Sequence, residues 1–393
     1  MDNVAPATIA DPYAQQQQAH RYASLRRRGG LAGQLLALAF VVTLLFGPAR
    51  WLAGFVAALG WWPLATALYI SILFPLYAVI SLPLDYWAGY RLPRQFGQSH
   101  QPPAGWWADY AKATLLTLVV LVIAVEGAQL MLHIAGGWWW LLTALGATAC
   151  MVFFTLIFPV FLLPLFYKFK PLTGPLLVRL LALSERAGKP VRAVYEVEFS
   201  SKTQAANAGL TGLGPTRRII VSDTMLAHYS ADEIEAVMGH ELGHQVYNHI
   251  LIGLALQSGL IFVGLYLADV LLRWAVPTFG YAGLTDLAAL PLIALLLAAL
   301  AILTLPLLNA YSRAAESACD RYSVQLVGKP IALGHALLKL AGQSLSELEP
   351  PRWVKLLFYT HPPIAERLRP LGFVRNPDLE VNADARQDRP GST

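Results

Sequence analysis

The chain has 393 residues, of which 56% are hydrophobic and only 13% charged, against roughly 25% charged in soluble domains. With a mean hydropathy of +0.49, this excludes an ordinary soluble protein and points to an integral membrane protein with a substantial water-exposed part. The net charge is +5, but the basic residues gather at the flanks of apolar segments and read as topology signals, not as a nucleic-acid surface; the two cysteines, Cys150 and Cys319, are too few for a disulfide framework or a cysteine-built metal site.

Residues 1–30 are polar, with Gln15 to Gln18 in a row followed by Arg21, Arg26, Arg27 and Arg28. This composition predicts a disordered tail whose arginines hold the N-terminus on the cytoplasmic side. The lead-in is long and the apolar stretch after it is of span length, so it does not read as a cleavable leader. Span-length apolar segments follow at 31–49, 62–84, 112–134 and 138–166. Trp51, Trp61, Trp62, Trp106, Trp107 and Trp138 to Trp140 mark their ends, as interfacial anchors do. Arg91, Arg94 and Lys112 lie between the second and third spans and only Arg50 after the first, as the positive-inside rule requires. In the third span Glu126, Gln129 and His133 share one helical face. They read equally as the polar wall of an enclosed chamber or as a buried interhelical hydrogen bond with an interfacial histidine.

Residues 167–249 read as a water-exposed part. Leu176 to Gly188 predicts an amphipathic helix, and Val191–Phe199 and Arg218–Ser222 predict strands. Between them Ser200 to Gly214 is small and polar, with glycines suited to a turn and an extended edge. Ser230 followed by Glu233 is a capping box, and Ile234, Val237, Met238 and Leu242 then recur at helical spacing. This helix carries His240-Glu241-Leu242-Gly243-His244, the His-Glu-x-x-His form of a zinc peptidase helix. His240 and His244 stack one turn apart and can hold one metal, with Glu241 about 100° round, beside it. A carboxylate there can take a proton from a metal-activated water, and an open catalytic zinc site needs a third protein ligand. A surface helix carrying two histidines by chance is the competing reading; a random match in a chain of this content is on the order of one per cent. His249 would fall about 180° from His240 on a continuing helix, out of reach of the same metal, and is assigned to the membrane interface.

Two more spans, at 250–272 and 286–308, make six and return the chain to the cytoplasmic side at Asn309. Asp269 reads as interfacial. Glu316 and Asp320 are then four apart on one helical face. They could present Glu316 to a metal and Asp320 to a ligand's outer nitrogen, or form a solvated face with Arg313 paired to Glu316. The unfilled third metal position on the same membrane side favours Glu316. His361-Pro-Pro-Ile-Ala-Glu-Arg367 comes later, and a polar tail at 376–393 is predicted to be disordered.

Several segments together resemble the type I CaaX prenyl proteases, membrane zinc endopeptidases related to the bacterial heat-shock protease HtpX. They are Phe166 to Leu172, Ser201 to Gly209 with Arg218 to Thr224, His240 to His244, Asn309 to Asp320, and His361-Pro362 with Glu366-Arg367. The resemblance implies one zinc ion on His240, His244 and Glu316, with Glu241 as catalytic acid/base and Asp320 behind the ligands. It implies that Asn207 and Ala208 lie on an edge strand that holds substrate as an added strand, and that His361 and Arg367 assist catalysis. Cys319 stands where the family typically has alanine, and Gly209 where a bulky residue is common.

The expected fold is a mainly α-helical multi-pass membrane protein, with about six transmembrane helices and a cytoplasmic zincin-like α+β metallopeptidase domain. Its parts would be a tail (1–30), a four-helix membrane domain (31–166), a peptidase part with the metal helix (167–249), a transmembrane hairpin (250–308), a second peptidase part (309–375) and a tail (376–393). The expected function is zinc-dependent hydrolysis of peptide bonds in membrane-associated or misfolded proteins. CaaX-type processing of prenylated C-termini is the alternative, and a catalytically inactive scaffold or transporter the alternative of another class. The partners are a peptide or protein substrate and the lipid bilayer, without nucleic acid. An Ala- and Leu-rich chain without an ER-retrieval tail suits a bacterial inner membrane, with the active site and both termini cytoplasmic.

Overall fold

Long apolar runs can satisfy their backbone in a bilayer only as helices, and six helices among the described residues are long and apolar enough to cross one. The structure, a computed structural model, describes residues 12–157, 162–211 and 217–373. The membrane part comprises α1 (Pro12–Leu45), the short α2 (Pro48–Ala57) and α3 (Trp62–Tyr86). A π-helical turn, Trp87–Arg91, joins α3 to α4 (Leu92–Gln95), and α5 (Pro103–Ile134) and α6 (Trp139–Ile157) follow. The peptidase part opens with β1 (Phe169–Pro171), α7 (Pro175–Arg186), β2 (Ala193–Val197), β3 (Ala208–Thr211) and β4 (Arg218–Ser222). It continues through α8 (Asp223–His228) and α9 (Ala231–Val246) into the hairpin of α10 (His249–Phe279) and α11 (Leu290–Val327). It closes with α12 (Pro330–Gln343), α13 (Arg352–Phe358) and α14 (Ile364–Leu368).

The far ends of the spans are joined by polar side chains. Trp139 Nε1 donates to Asp269 Oδ1 at 2.6 Å and Arg273 Nε to Asp269 Oδ2 at 2.8 Å. Asp269 is thus buried where α6 meets α10, with two donors satisfying its carboxylate beside the interfacial Trp139. Gln129 is buried and donates to the Thr285 carbonyl, while His133 stacks on Trp62 with ring centroids 4.4 Å apart. These contacts tie the polar face of α5 to the loop between α10 and α11 and to the start of α3.

The polar N-terminal stretch departs from expectation. From Pro12 it is helical and continuous with the first span, while residues 1–11 and the expected tail at 376–393 lie outside the described residues. Ala19 and Tyr22 bury against Leu92 and Leu345. Glu347, almost wholly buried, is bonded to His20 Nδ1 at 2.8 Å and paired with Arg27. Two small apolar contacts and a buried ion pair order a segment whose composition alone reads as disordered. The expected boundary at 308/309 falls inside α11, which runs without a break from the bilayer into the peptidase part.

The sheet has the order β1-β2-β4-β3, with β2 parallel to β4 and both outer strands antiparallel to their neighbours. Val194, Ile219 and Val221 bury one face against Leu180, Leu183, Ile234, Met238 and Leu242, so α7 and α9 pack on the sheet. β1 and β3 carry a proline and a glycine and are three and four residues long, which leaves them without a sequence signature. The segment before β3 is fastened to the membrane part by a bridge between Ser99 and Thr203 and by the Lys202–Asp109 ion pair.

Candidate metal centre

The capping box at the start of α9 forms as its sequence requires: Glu233 N donates to Ser230 Oγ at 3.3 Å, and Ser230 N to Glu233 Oε2 at 2.7 Å. What brings the site together is the close crossing of α9 over α11. A Cβ on Gly243 would lie 3.1 Å from Cys319 Cα, and one on Gly239 2.7 Å from Val327 Cγ2. Ser323 Oγ donates to the Ala236 carbonyl at 2.6 Å across the same contact. Small residues let the two backbones approach until Glu316 and Asp320 of α11 reach the histidines of α9.

His240 Nε2 lies 3.2 Å from Glu316 Oε2, His244 Nε2 lies 3.3 Å from Glu316 Oε1, and the two Nε2 atoms are 3.3 Å apart. The three side chains offer ligand atoms within 4.8 Å of one another. Glu316 Oε2 is buried without a hydrogen-bond partner in spite of its nearness to His240. An orphaned carboxylate oxygen converging with two imidazole nitrogens is satisfied by a cation, so the residues fit the metal expected of this motif.

Behind these three candidate ligands, His240 Nδ1 meets Asp320 Oδ1 at 2.8 Å. Arg367 grips the same carboxylate with Nη2 on Oδ1 at 2.7 Å and Nε on Oδ2 at 2.8 Å. Burial pushes the pKa of His240 down, but the carboxylates of Asp320 and Glu316 beside it outweigh that and hold the group up to about 9. Burial works against the Arg367 charge as well, and Asp320 more than restores it. Glu241, next to His240, is pushed above the ordinary carboxylate range by burial, opposed by the two histidines. His361 is lowered by burial. Its Nε2 stands 3.2 Å from Glu316 Oε1.

Asn309 and Arg313 are absent from the expected site set, although the sequence pattern contains them. Asn309 Nδ2 donates to the Leu357 carbonyl at 2.8 Å, and Arg313 Nη1 to those of Lys355 and Tyr359 at 3.0 and 2.7 Å. These bonds satisfy the last carbonyls of α13 and fix the segment that leads to His361. Arg313 is therefore engaged by α13, away from the Glu316 pairing that the competing reading required.

Ala208 begins β3, and Asn207 immediately precedes it, accepting from Ser222 N at 2.9 Å. Asn207 and Ser222 form a hydrogen-bonded pair, so alternation turns the backbone groups of Ala208 and Leu210 towards the outer edge of β3. Leu210, which sequence reasoning missed, lines a cavity of about 570 Å³ with Glu241, His244 and Thr360. A second cavity of about 680 Å³ is lined by His361, Arg367 and Thr360 on one side and by Tyr22 and Arg26 of α1 on the other. Thr360 borders both.

His249 is not where a continuing helix would place it. Asn248 takes a left-handed conformation, φ 56°, ending α9 and restarting the chain as α10. That turn brings His249 back beside His244, its Nδ1 3.1 Å from His244 Nδ1.

Residues 176–372 match the model of peptidase family M48, and residues 2–168 match one described as the CAAX prenyl protease N-terminal region, with five membrane helices. In that second region the described residues form four helices of span length, α2 being only 10 residues long. The chain is 34% identical over 330 residues to the uncharacterized metalloprotease YhfN of Bacillus subtilis, covering 83% of this chain and 76% of the relative. It is 28% identical over 341 residues to CAAX prenyl protease 1 of Saccharomyces cerevisiae, covering 78% and 72%. Among solved structures it shares the fold of S. mikatae Ste24p, with a TM-score of 0.79 at 22% identity over 91% of this chain and 88% of that one.

Proposed function

The chain belongs to peptidase family M48 as an integral membrane metalloprotease, and we propose that its metal is one zinc ion held by His240 Nε2, His244 Nε2 and Glu316. The observation that carries this reading is the convergence of those groups around an orphaned carboxylate oxygen, with Asp320 and Arg367 behind them. Zinc at this position supplies Lewis acidity, acidifying water and polarising a carbonyl.

The chain's own residues do the rest. Glu241 accepts the proton of the attacking water and passes it to the departing amine. Asp320 accepts from His240 Nδ1, which keeps Nε2 free as the donor atom, and Arg367 holds Asp320 in place. His361 and Arg367 donate towards the oxygen on which charge develops. The outer edge of β3, from Asn207 and Ala208 to Leu210, receives the substrate backbone as an added strand.

The substrates are proteins at or in the membrane, including misfolded ones. In support, the cavity beside Glu241 continues along Ile250, Gly253 and Leu254 at the start of α10, so a chain can reach it from the bilayer. A second reading, processing of prenylated C-termini, is favoured by the relatives named CAAX prenyl protease 1. An inactive scaffold or transporter has no use for this constellation. The Bacillus relative and the arginines at 21 to 28 support a bacterial inner membrane with the site on the cytoplasmic side.

Detergent-purified protein tests the reading, assayed on casein and on a prenylated peptide with and without phenanthroline. Phenanthroline-sensitive cleavage of casein supports the broad endopeptidase, and cleavage of the prenylated peptide alone supports the processing enzyme. Zinc-loaded protein that cleaves neither overturns the peptidase proposal.

A further inference from the structure

The two histidines of the centre are held in different ways. His240 presents its outer nitrogen to an anion, Asp320, at 2.8 Å. His244 presents its outer nitrogen to another imidazole, His249, at 3.1 Å. The two rings stand edge to face, with centroids 5.1 Å apart and planes at 71°. His249 is itself seated among Tyr247, Tyr311 and Cys319, whose Sγ lies 3.6 Å from the same Nδ1. The contact exists because the chain leaves the right-handed helix at Asn248; a non-glycine residue in this conformation is uncommon and is held by its surroundings.

We propose that His249 is a positioning residue for the metal centre, accepting a hydrogen bond from His244 Nδ1 and so fixing which nitrogen of His244 faces the metal. The inference rests on the assignment of His244 as a ligand. With Nε2 committed to the metal, Nδ1 of His244 carries the ring proton and must donate. His249 Nδ1 is the nearest acceptor, so His249 carries its own proton on Nε2. A ligand histidine whose outer N–H is tied down loses less rotational freedom on binding and cannot present the wrong nitrogen.

His244, His249 and Cys319 also lie close enough to hold a cation of their own. A metal there would require His244 to give up both ring protons, whereas the hydrogen bond requires only the tautomer that the first metal already imposes. The positioning role is therefore the one that the geometry supports. His249 also borders the cavity beside Glu241, but its nitrogen Nδ1 is turned to His244, so its role at the centre runs through that ligand.

The substitutions His249→Leu and His249→Asn separate this role from packing. Asn places its side-chain oxygen one bond beyond Cγ, where histidine has Nδ1, and can accept the same proton, whereas Leu fills space without accepting. Zinc affinity is measured on the purified full-length chain in detergent by competition with a chromophoric chelator, with thermal unfolding followed in parallel. His249→Leu is expected to lose about 10- to 100-fold in zinc affinity, and His249→Asn to recover most of that loss. Cys319→Ala is expected to keep wild-type affinity and a stoichiometry of one zinc per chain.

Wild-type affinity in a folded His249→Leu, or an Asn variant no better than Leu, overturns the proposal. A second zinc lost on Cys319→Ala overturns it in favour of a second metal site. Wild-type protein that binds no zinc, or a His240→Ala variant that still does, contradicts the metal assignment itself and is distinguishable from both.

Discussion

His240 Nδ1 and Asp320 Oδ1 lie 2.8 Å apart although 80 positions and a transmembrane hairpin separate them in the chain. The bond ties the metal helix to the helix that returns from the bilayer, and Arg367 closes it from the C-terminal side. Asp320→Asn keeps an acceptor for His240 but gives up the charge that holds both His240 and Arg367. Zinc affinity, read by chelator competition, should fall about 10- to 100-fold, with the fold intact by circular dichroism.

Glu241 and Glu316 should separate chemistry from metal binding. Glu241→Gln removes the proton acceptor without touching a ligand, so peptide hydrolysis should fall by about 10²- to 10⁴-fold while metal content by atomic absorption stays at the wild-type level. Glu316→Ala should lose the metal itself, and activity with it. Full activity in the first variant, or full metal content in the second, would reassign these roles.

The crossing of α9 and α11 depends on Gly243, whose absent side chain leaves room for the Cys319 backbone. Gly243→Leu should push the helices apart, destabilising the protein by about 1–3 kcal/mol and weakening zinc binding together with it. Gly259→Ala, in α10 with nothing within 4 Å of its would-be Cβ, should do neither. Thermal unfolding in detergent with and without zinc reads both effects.

The pairing of α7, α9 and α12 has a pH signature. Burial alone would raise the pKa of Glu235, but Lys329 and Arg179 lie against it and hold it below its ordinary 4.5. A carboxylate whose folded pKa is depressed adds stability that is fully present above the unfolded value and is lost as pH falls through the folded one. The midpoint difference between wild type and Glu235→Gln should therefore be largest near neutrality and shrink below about pH 4.5. A difference that grows on acidification would contradict the pairing.

What the sequence revealed followed the strength of its local signals. The spans, the capped metal helix and β4 are continuous patterns with one periodicity. The metal helix and β4 stand where the sequence puts them. Each expected span falls on a long apolar helix, although the first is cut by the turn after Leu45 and the fourth is described as α6 only to Ile157. The carboxylates of α11 were legible as a pair because a four-residue spacing on a helix fixes a shared face, and both lie against His240 in the structure. The misses are tertiary. Residues 12–30 fold because Glu347, far along the chain, buries between His20 and Arg27. β3 is extended because β4 pairs with it, not because Gly209 favours a strand. His249 was misplaced because one left-handed residue, Asn248, breaks the periodicity from which its position was computed. Asn309 and Arg313 act on carbonyls of α13, partners that no helical spacing can reveal.

The central claim is that one metal is assembled from both sides of the transmembrane hairpin. Anomalous diffraction from crystals of the purified protein, recorded on either side of the zinc edge, tests it most directly. The account predicts a single peak at about 2.0–2.2 Å from His240 Nε2, His244 Nε2 and the Glu316 carboxylate. A peak whose ligands exclude Glu316, or cleavage-competent protein with no peak between α9 and α11, would contradict it.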